Sequence, residues 1–480
     1  MADRYLIVSD LHLCDVEEHA DGWKAYKSAR FVFDGELAER VEQFAARAAP
    51  GDRSTLVLNG DVFDFDLVTA APSEPPWPVT GNERKRGLAP TAPKSAWKLE
   101  RILEHHPVFV RMLARFAASG HRIVHVLGNH DRELHFAQVR AKLLEALRAA
   151  AAAEGRALPA EPVRFEDWFF YEPGLLYAEH GQQYDLYTSY PWILAPVYPR
   201  RDGEQLTIPM GNLSNRYLMS GMGFFNPHAT DYILNLYSYV AHWFRHYAFS
   251  SHSLAWNWLR GSITAVRSLL RHKRKNLRRP ADYDERRRAL AERAGIAPEC
   301  LTGLERLARP PITTRVFRIF REFWLDRLLL FGAMVLGTVT LALVPIPLWI
   351  KLMVPLTGFP LLFFVYELLA HGETVPGVGS RLPSFARQIV GLLPARVVAF
   401  GHTHRPRILP LGRGVTFVDS GTWAPIWDKG PERRLTAGYR NWVEVRSDGD
   451  ECDVTLGALT GPPPPGCRPP GDGPADGPAD

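Results

Sequence analysis

Short apolar runs recur along the first 180 residues, and each one stops at a cluster of polar side chains. Residues 4–9 run into Asp10-Leu11-His12. Residues 54–59 run into Gly60-Asp61-Val62-Phe63-Asp64, and residues 121–127 into Gly128-Asn129-His130-Asp131. Runs of this length, bounded by turn residues, predict strands buried on both faces. Between them, residues 35–49 carry the spacing of an amphipathic helix, as do 97–118 and 132–148, and residues 143–153 form an Ala-rich helix. Strand alternating with helix is the rhythm of a parallel α/β sheet, which presents its chemistry beyond the carboxyl ends of its strands. Residues 71–93, rich in proline, predict a long surface loop. Residues 163–177 predict a hairpin turning at Pro173-Gly174 and ending at Glu179-His180-Gly181.

From about residue 184 to 386 the strand pattern fades into aromatics, Leu and Arg, and residues 232–270 read as helical. It returns at 395–400, which stops at Gly401-His402-Thr403-His404, and again at 415–418 before Asp419. Residues 442–445 and 452–456 are expected to close a second sheet. The tail from Gly461 is nearly all Gly, Pro, Ala and Asp, too poor in apolar surface to order itself.

The strand ends supply two carboxylates, one amide and four imidazoles: Asp10, His12, Asp61, Asn129, His180, His402 and His404. Mixed oxygen and imidazole donors suit Mn, Fe or Zn better than Mg or Ca. Seven ligands exceed one tetrahedral ion and suit two ions sharing a carboxylate, an arrangement that clamps the attacking and leaving oxygens of a phosphoryl centre. Any one cluster alone reads as an ordinary turn or a core histidine; the joint pattern is what carries the chemistry.

In that order, Asp-x-His, Gly-Asp-x-x-Asp, Gly-Asn-His-Asp, a His before Gly, and Gly-His-x-His, the clusters resemble the motif series of the calcineurin-like metallophosphoesterases, over residues 3–181 and 395–460. The resemblance implies a two-sheet α-β-β-α sandwich. It implies that Asp10, His12, Asp61 and His404 hold one ion, and that Asp61, Asn129, His180 and His402 hold the other, Asp61 bridging. It further implies that His130 meets the scissile phosphate as general acid or transition-state donor, with Asp64 and Asp131 orienting it. Arg405, beside the last motif, is a candidate phosphate ligand. The stretches 401–406 and 10–13 look like the branch of the family that cleaves UDP-2,3-diacylglucosamine. The chain departs from that branch in having His130 where arginine is typical, and in a far longer insertion.

The expected organisation is therefore a catalytic core in two parts, 1–183 and 387–460, around an all-helical insertion at 184–386, with a disordered tail at 461–480. Within the insertion, residues 328–350 carry no charged side chain, and neither do 352–366 beyond Lys351. A bilayer core about 30 Å thick needs roughly 20 helical residues. Both catalytic parts must share a compartment, so an even number of crossings is required, and Pro345, Pro347, Pro355 and Pro360 fit a helical hairpin or a re-entrant element. Residues 315–324 mix Arg with Phe and Trp as an interfacial helix does; the alternative is a soluble helical lid. A formal net charge of +5 is concentrated near Lys273 and Arg286-Arg287-Arg288, without a nucleic-acid-binding motif, so no nucleic-acid partner is expected. Four scattered cysteines fit a reducing compartment, and no secretory signal is expected before the first strand.

These observations predict a binuclear phosphohydrolase at the cytoplasmic face of a membrane, its phosphoester or pyrophosphate substrate lipid-linked. The alternatives are a phosphatase or phosphodiesterase for a soluble nucleotide or phosphoprotein, and a non-enzymatic scaffold. His371, just before Gly372-Glu373, is a lesser candidate to approach the substrate, and Trp423, after Ser420-Gly421-Thr422, is expected to be a wall of the core.

Overall fold

A computed structural model describes residues 3–17, 33–49, 52–200, 203–217, 254–276, 278–314, 316–322, 324–369, 377–424, 440–449 and 451–459. The parallel strands β1 (Asp3–Val8), β2 (Arg53–Asn59), β3 (Arg122–Val126) and β4 (Arg164–Glu166) lie side by side in that order. A second sheet is built on β5 (Phe169–Glu172) and β6 (Leu176–Glu179), the antiparallel hairpin predicted around Pro173-Gly174. Strand β6 is parallel to a strand from far along the chain, Val397–Phe400.

The alternation of side chains along each strand decides the layers. In β1, Tyr5 and Ile7 face the second sheet and pack with Phe170, Leu176, Ala178 and Val397. Leu6 and Val8 face the other way, against Leu37, Val41 and Phe44 of the helix Asp34–Ala46. The outer face of the second sheet, with Phe169 and Tyr177, is covered by Leu382, Ala386 and Ile389 of the helix Gly377–Leu392. The central strands are thus apolar on both faces because each sheet has a sheet on one side and helices on the other. This is the α-β-β-α sandwich.

Four expectations are corrected. The insertion is not all-helical: β7 (Val197–Arg200) and β8 (Gly203–Leu206) form an antiparallel ribbon, and Gln205 bridges to Thr91. Strands this short leave no periodic trace against an aromatic background. The helix expected over 97–118 is two helices, Ala92–His105 and Pro107–Ala118, because a residue preceding proline is steered away from helical backbone. The loop expected at 71–93 contains the helix Gly81–Arg86, closed by a capping box between Thr80 and Glu83.

The last correction concerns the C-terminal strands. The second sheet is completed by β9 (Val397–Phe400), β10 (Arg407–Gly412) and β11 (Val415–Asp419), in the order β10-β11-β9-β6-β5. Strands β12 (Asn441–Asp448) and β13 (Glu451–Ala458) instead join the first sheet, β12 antiparallel to β1. The free edge of β1 offers unpaired backbone groups, and Val443 and Val445 complete the layer between the sheets. The helix expected over 232–270 is described only as Leu254–Asn276; residues 232–253, His371 and the tail from 461 lie outside the described residues. Trp423 is fully buried and its indole donates to the Asn441 carbonyl, as a core wall should.

Two helices among the described residues, Leu325–Leu343 and Leu348–Leu369, are long and apolar enough to cross a membrane by length and composition. They lie alongside one another as a hairpin. At its root Arg327 pairs with both oxygens of Glu367, and Tyr366 donates to Asp326. Near its tip Lys351 donates to the Ala342 carbonyl. Almost none of its apolar surface is covered: Leu343 and Leu369 are each 81% exposed.

Candidate metal centre

All seven candidate ligands follow the carboxyl end of a strand: Asp10 and His12 after β1, Asp61 after β2, Asn129 after β3, His180 after β6, and His402 and His404 after β9. The two sheets are tied at that end by Asn59 donating to the Glu179 carbonyl and His402 N–H donating to Asp10. The seven residues, scattered over most of the chain, are brought to one edge. Asp10, His12, Asp61, Asn129 and His180 are buried; His402 and His404 are partly exposed and form the open side.

The donor atoms fall into two groups. Those of Asp10, His12 and His404 lie within 4.8 Å of one another, and so do those of Asp61, His180 and His402. His404 Nε2 is 3.1 Å from Asp10 Oδ1 and 3.2 Å from His12 Nε2. His180 Nε2 is 3.0 Å from Asp61 Oδ2. Asp61 also groups with His12 and His130, so it stands between the two sets.

The backbone is strained where these side chains converge. Of the eight non-glycine residues with positive φ among those described, five are Asp10, His12, Asp61, His402 and His404. Such conformations cost of order 1–3 kcal/mol each and persist where the surroundings over-determine them. The motif glycines serve close approach. A Cβ on Gly128 would lie 2.2 Å from Asp61 Oδ1, and one on Gly60, whose φ is +83°, would lie 2.5 Å from the His180 ring.

Burial alone would raise the Asp10 carboxyl, but His404 and His180 reverse this and hold it at about 2; Asp61 is likewise held well below the usual range. Burial alone would lower His180, but Asp61 and Asp10 push it up to about 10. His130 is pushed up to about 10 in the same way, by Asp64 and Asp61. His180 Nδ1 faces the Asn59 carbonyl at 3.0 Å, so that nitrogen carries the proton and Nε2 is the one available for a ligand bond. The Asn129 amide oxygen is buried without a hydrogen-bond donor, the state of an oxygen whose partner is a cation. Carboxylates, an amide oxygen and imidazoles in this arrangement fit a divalent metal centre.

A model of the calcineurin-like phosphoesterase family matches residues 4–249, just over half the chain. The chain belongs to that family: it is a hydrolase acting on phosphoester bonds, with a divalent metal centre. No curated protein matches it. The matched region ends well before Gly401, and it is the fold that carries His402 and His404 to the residues within it.

The other expected residues divide. His130 Nδ1 is 3.0 Å from Asp64 Oδ2, as expected of an oriented histidine, and Asp64 also reaches His12 at 3.2 Å. Asp131 does not serve His130. Its oxygens accept from Gly128 N–H at 2.6 Å, Val62 N–H at 2.9 Å and His125 at 3.0 Å. It closes the Gly128–Asp131 turn from its far end and pins that turn to the loop after β2. Arg405 is exposed beside His404.

Sequence reasoning missed Asp185 and Thr188, which sit 3.2 Å from His402 Nε2. It missed the buried Asp66, held by both terminal nitrogens of Arg132 at 2.8–2.9 Å and 3.8 Å from His130. It also missed Asn212, whose amide contacts both Asn129 and Asp66. Asp66 shares a loop with Asp61 and Asp64 and was within reach of the motif; Asn212 had no local signal.

Proposed function

We propose that this protein is a binuclear phosphohydrolase working at a membrane surface on a phosphoester or pyrophosphate substrate with an apolar part. Asp10, His12, Asp61 and His404 hold one divalent ion, and Asp61, Asn129, His180 and His402 the other, with Asp61 shared; Mn is the expected metal, Fe or Zn the alternatives. The observation that carries this is the pair of donor groups flanking Asp61. Bound ions of this kind supply Lewis-acid stabilisation of phosphoryl oxygens and a nucleophile at neutral pH.

The chain's own residues do the rest. Asp64 fixes the Nδ1 proton of His130, leaving Nε2 to donate to a phosphoryl or leaving-group oxygen. Arg405, exposed at the open side, takes a phosphate oxygen. The catalytic core comprises 1–183 and 387–460, and the insertion 184–386 carries the hairpin into lipid. Its arms of 19 and 22 residues reach roughly 28 and 33 Å, close to the thickness of a bilayer core. The ion-paired root, with Trp324 exposed beside Arg327, is an interfacial arrangement. Among the described residues, Cys300 and Cys452 are free thiols, in keeping with the cytoplasmic face.

The test is direct. Protein purified with Mn is assayed on bis(p-nitrophenyl) phosphate, p-nitrophenyl phosphate, UDP-2,3-diacylglucosamine and a simple lipid pyrophosphate, with and without detergent micelles. Turnover concentrated on the lipid substrates and dependent on micelles supports the reading. Equal turnover of soluble substrates without micelles transfers the protein to soluble phosphoesters.

A further inference from the structure

The helix Met210–Tyr217 belongs to the stretch between the two halves of the centre, yet it reaches the centre itself. Its Asn212 is fully buried. The Asn212 amide nitrogen donates to Asp66 Oδ2 at 2.8 Å and to the Asn129 carbonyl at 3.1 Å. Both partners are pure acceptors, and Asp66 is fixed as one by its bidentate pairing with Arg132. The nitrogen of Asn212 must therefore lie on that side, and its oxygen on the other. That oxygen accepts from the Asn129 amide nitrogen at 3.2 Å. The Asn129 amide is thereby set, with its nitrogen toward Asn212 and its buried, donorless oxygen turned away. Arg132 also donates to the Asn129 carbonyl at 2.6 Å, fixing the backbone of the same residue.

We propose that Asn212 is a positioning residue that locks the Asn129 amide with its oxygen presented to the metal centre, so that the insertion completes a site whose ligands lie outside it. This rests on the metal-ligand reading of Asn129 given above. An amide free to rotate offers its NH2 group half the time, and an NH2 group repels a cation. The helix is held in place from both sides. Arg216 donates to the carbonyls of Arg86, Gly87 and Leu88, and Met210, Leu213 and Tyr217 share an apolar cluster with Ala265, Val266 and Leu269 of the helix Leu254–Asn276.

The experiment is metal titration of chelator-stripped full-length protein with Mn, followed by calorimetry and by elemental analysis after gel filtration. Outer partners of metal ligands are worth about 10–100-fold in affinity. Asn212→Ala is expected to weaken one of two Mn sites by that factor and leave the other unchanged. Its kcat should recover at saturating Mn, with KM for bis(p-nitrophenyl) phosphate little changed. Asn212→Gln keeps the amide one methylene away and should recover part of the affinity; it also reads the site should the alanine variant not fold. Two unchanged Mn sites in a folded Asn212 variant overturn the inference, as does equal weakening of both. A wild-type protein that binds none of Mn, Fe and Zn removes the metal-ligand reading itself, an outcome distinct from either.

Discussion

The metal centre and the apolar hairpin are opposites in what surrounds them. At the centre, two carboxylates, an amide and four imidazoles gather in a mostly buried cluster, each braced by protein, with the backbone strained to bring them together. Along the hairpin, side chains that ought to be buried stand uncovered, and the polar groups at its root are paired with each other. The first region has more polar chemistry than a core tolerates, and the second less than water tolerates. The first excess fits a divalent metal centre, and the second is the feature behind the proposal of a lipid surface. The helix Met210–Tyr217 reaches the centre through Asn212, and its Leu213 belongs to the apolar cluster that also takes in Leu325 at the hairpin root.

The largest expected effects break the first half of that contrast. Asp61→Ala and His402→Ala should reduce turnover of bis(p-nitrophenyl) phosphate to background while circular dichroism shows the fold retained. Asp61 stands between both donor groups, so its variant should also hold fewer than two ions by elemental analysis. Retained turnover in either variant removes the assignment of ligands.

Next in size is the second half. Deleting residues 328–370 should move the protein from the membrane pellet to the supernatant, and activity on bis(p-nitrophenyl) phosphate should persist because none of the seven candidate ligands is removed. A wild-type protein that partitions to the supernatant without detergent ends the lipid reading. It would require a protein cover for the hairpin instead.

His130 ranks third. General acid and transition-state donors contribute about 10²–10⁴-fold. His130→Gln should lower kcat by that order with both ions still bound, whereas loss of metal in this variant would make His130 a ligand. Asp64→Asn should fall between wild type and His130→Gln, because it loosens His130 and His12 together.

What the sequence could and could not say follows the same contrast. The strand-end candidates were legible because the signal is local: an apolar run, a turn and a polar donor occupy ten neighbouring residues. The hairpin was legible because its length and its lack of charge are local too. Asn212, Asp185 and Thr188 were invisible because their partners are set by how the insertion docks, and no spacing records that. The placement of β12 and β13 was misread for a related reason: which sheet gains a strand depends on which edge lies open in space. Asp131 was expected to orient His130, but its oxygens are taken by the amides of Gly128 and Val62 and by His125, partners set by how two loops meet.

The smallest effect is the most discriminating, since it separates the centre with and without its ions. In the metal-free protein Asp61 and Asp10 raise the His180 pKa from an ordinary 6.5 to about 10. A histidine whose folded pKa lies above its unfolded value stabilises the fold fully below about 6.5, and that contribution is lost as pH rises through about 10. A bound ion competes with the proton for Nε2, so apparent metal affinity should rise with pH over the same window. The melting temperature of stripped protein should therefore fall between pH 6.5 and 10, while at limiting metal the increment added by Mn should grow. His180→Gln should flatten part of the first slope and most of the second; His130, also raised to about 10, adds to the first slope, and buried Lys98, lowered to about 7, opposes it. If the increment from Mn does not change with pH, His180 is not a ligand, whatever its distance from Asp61.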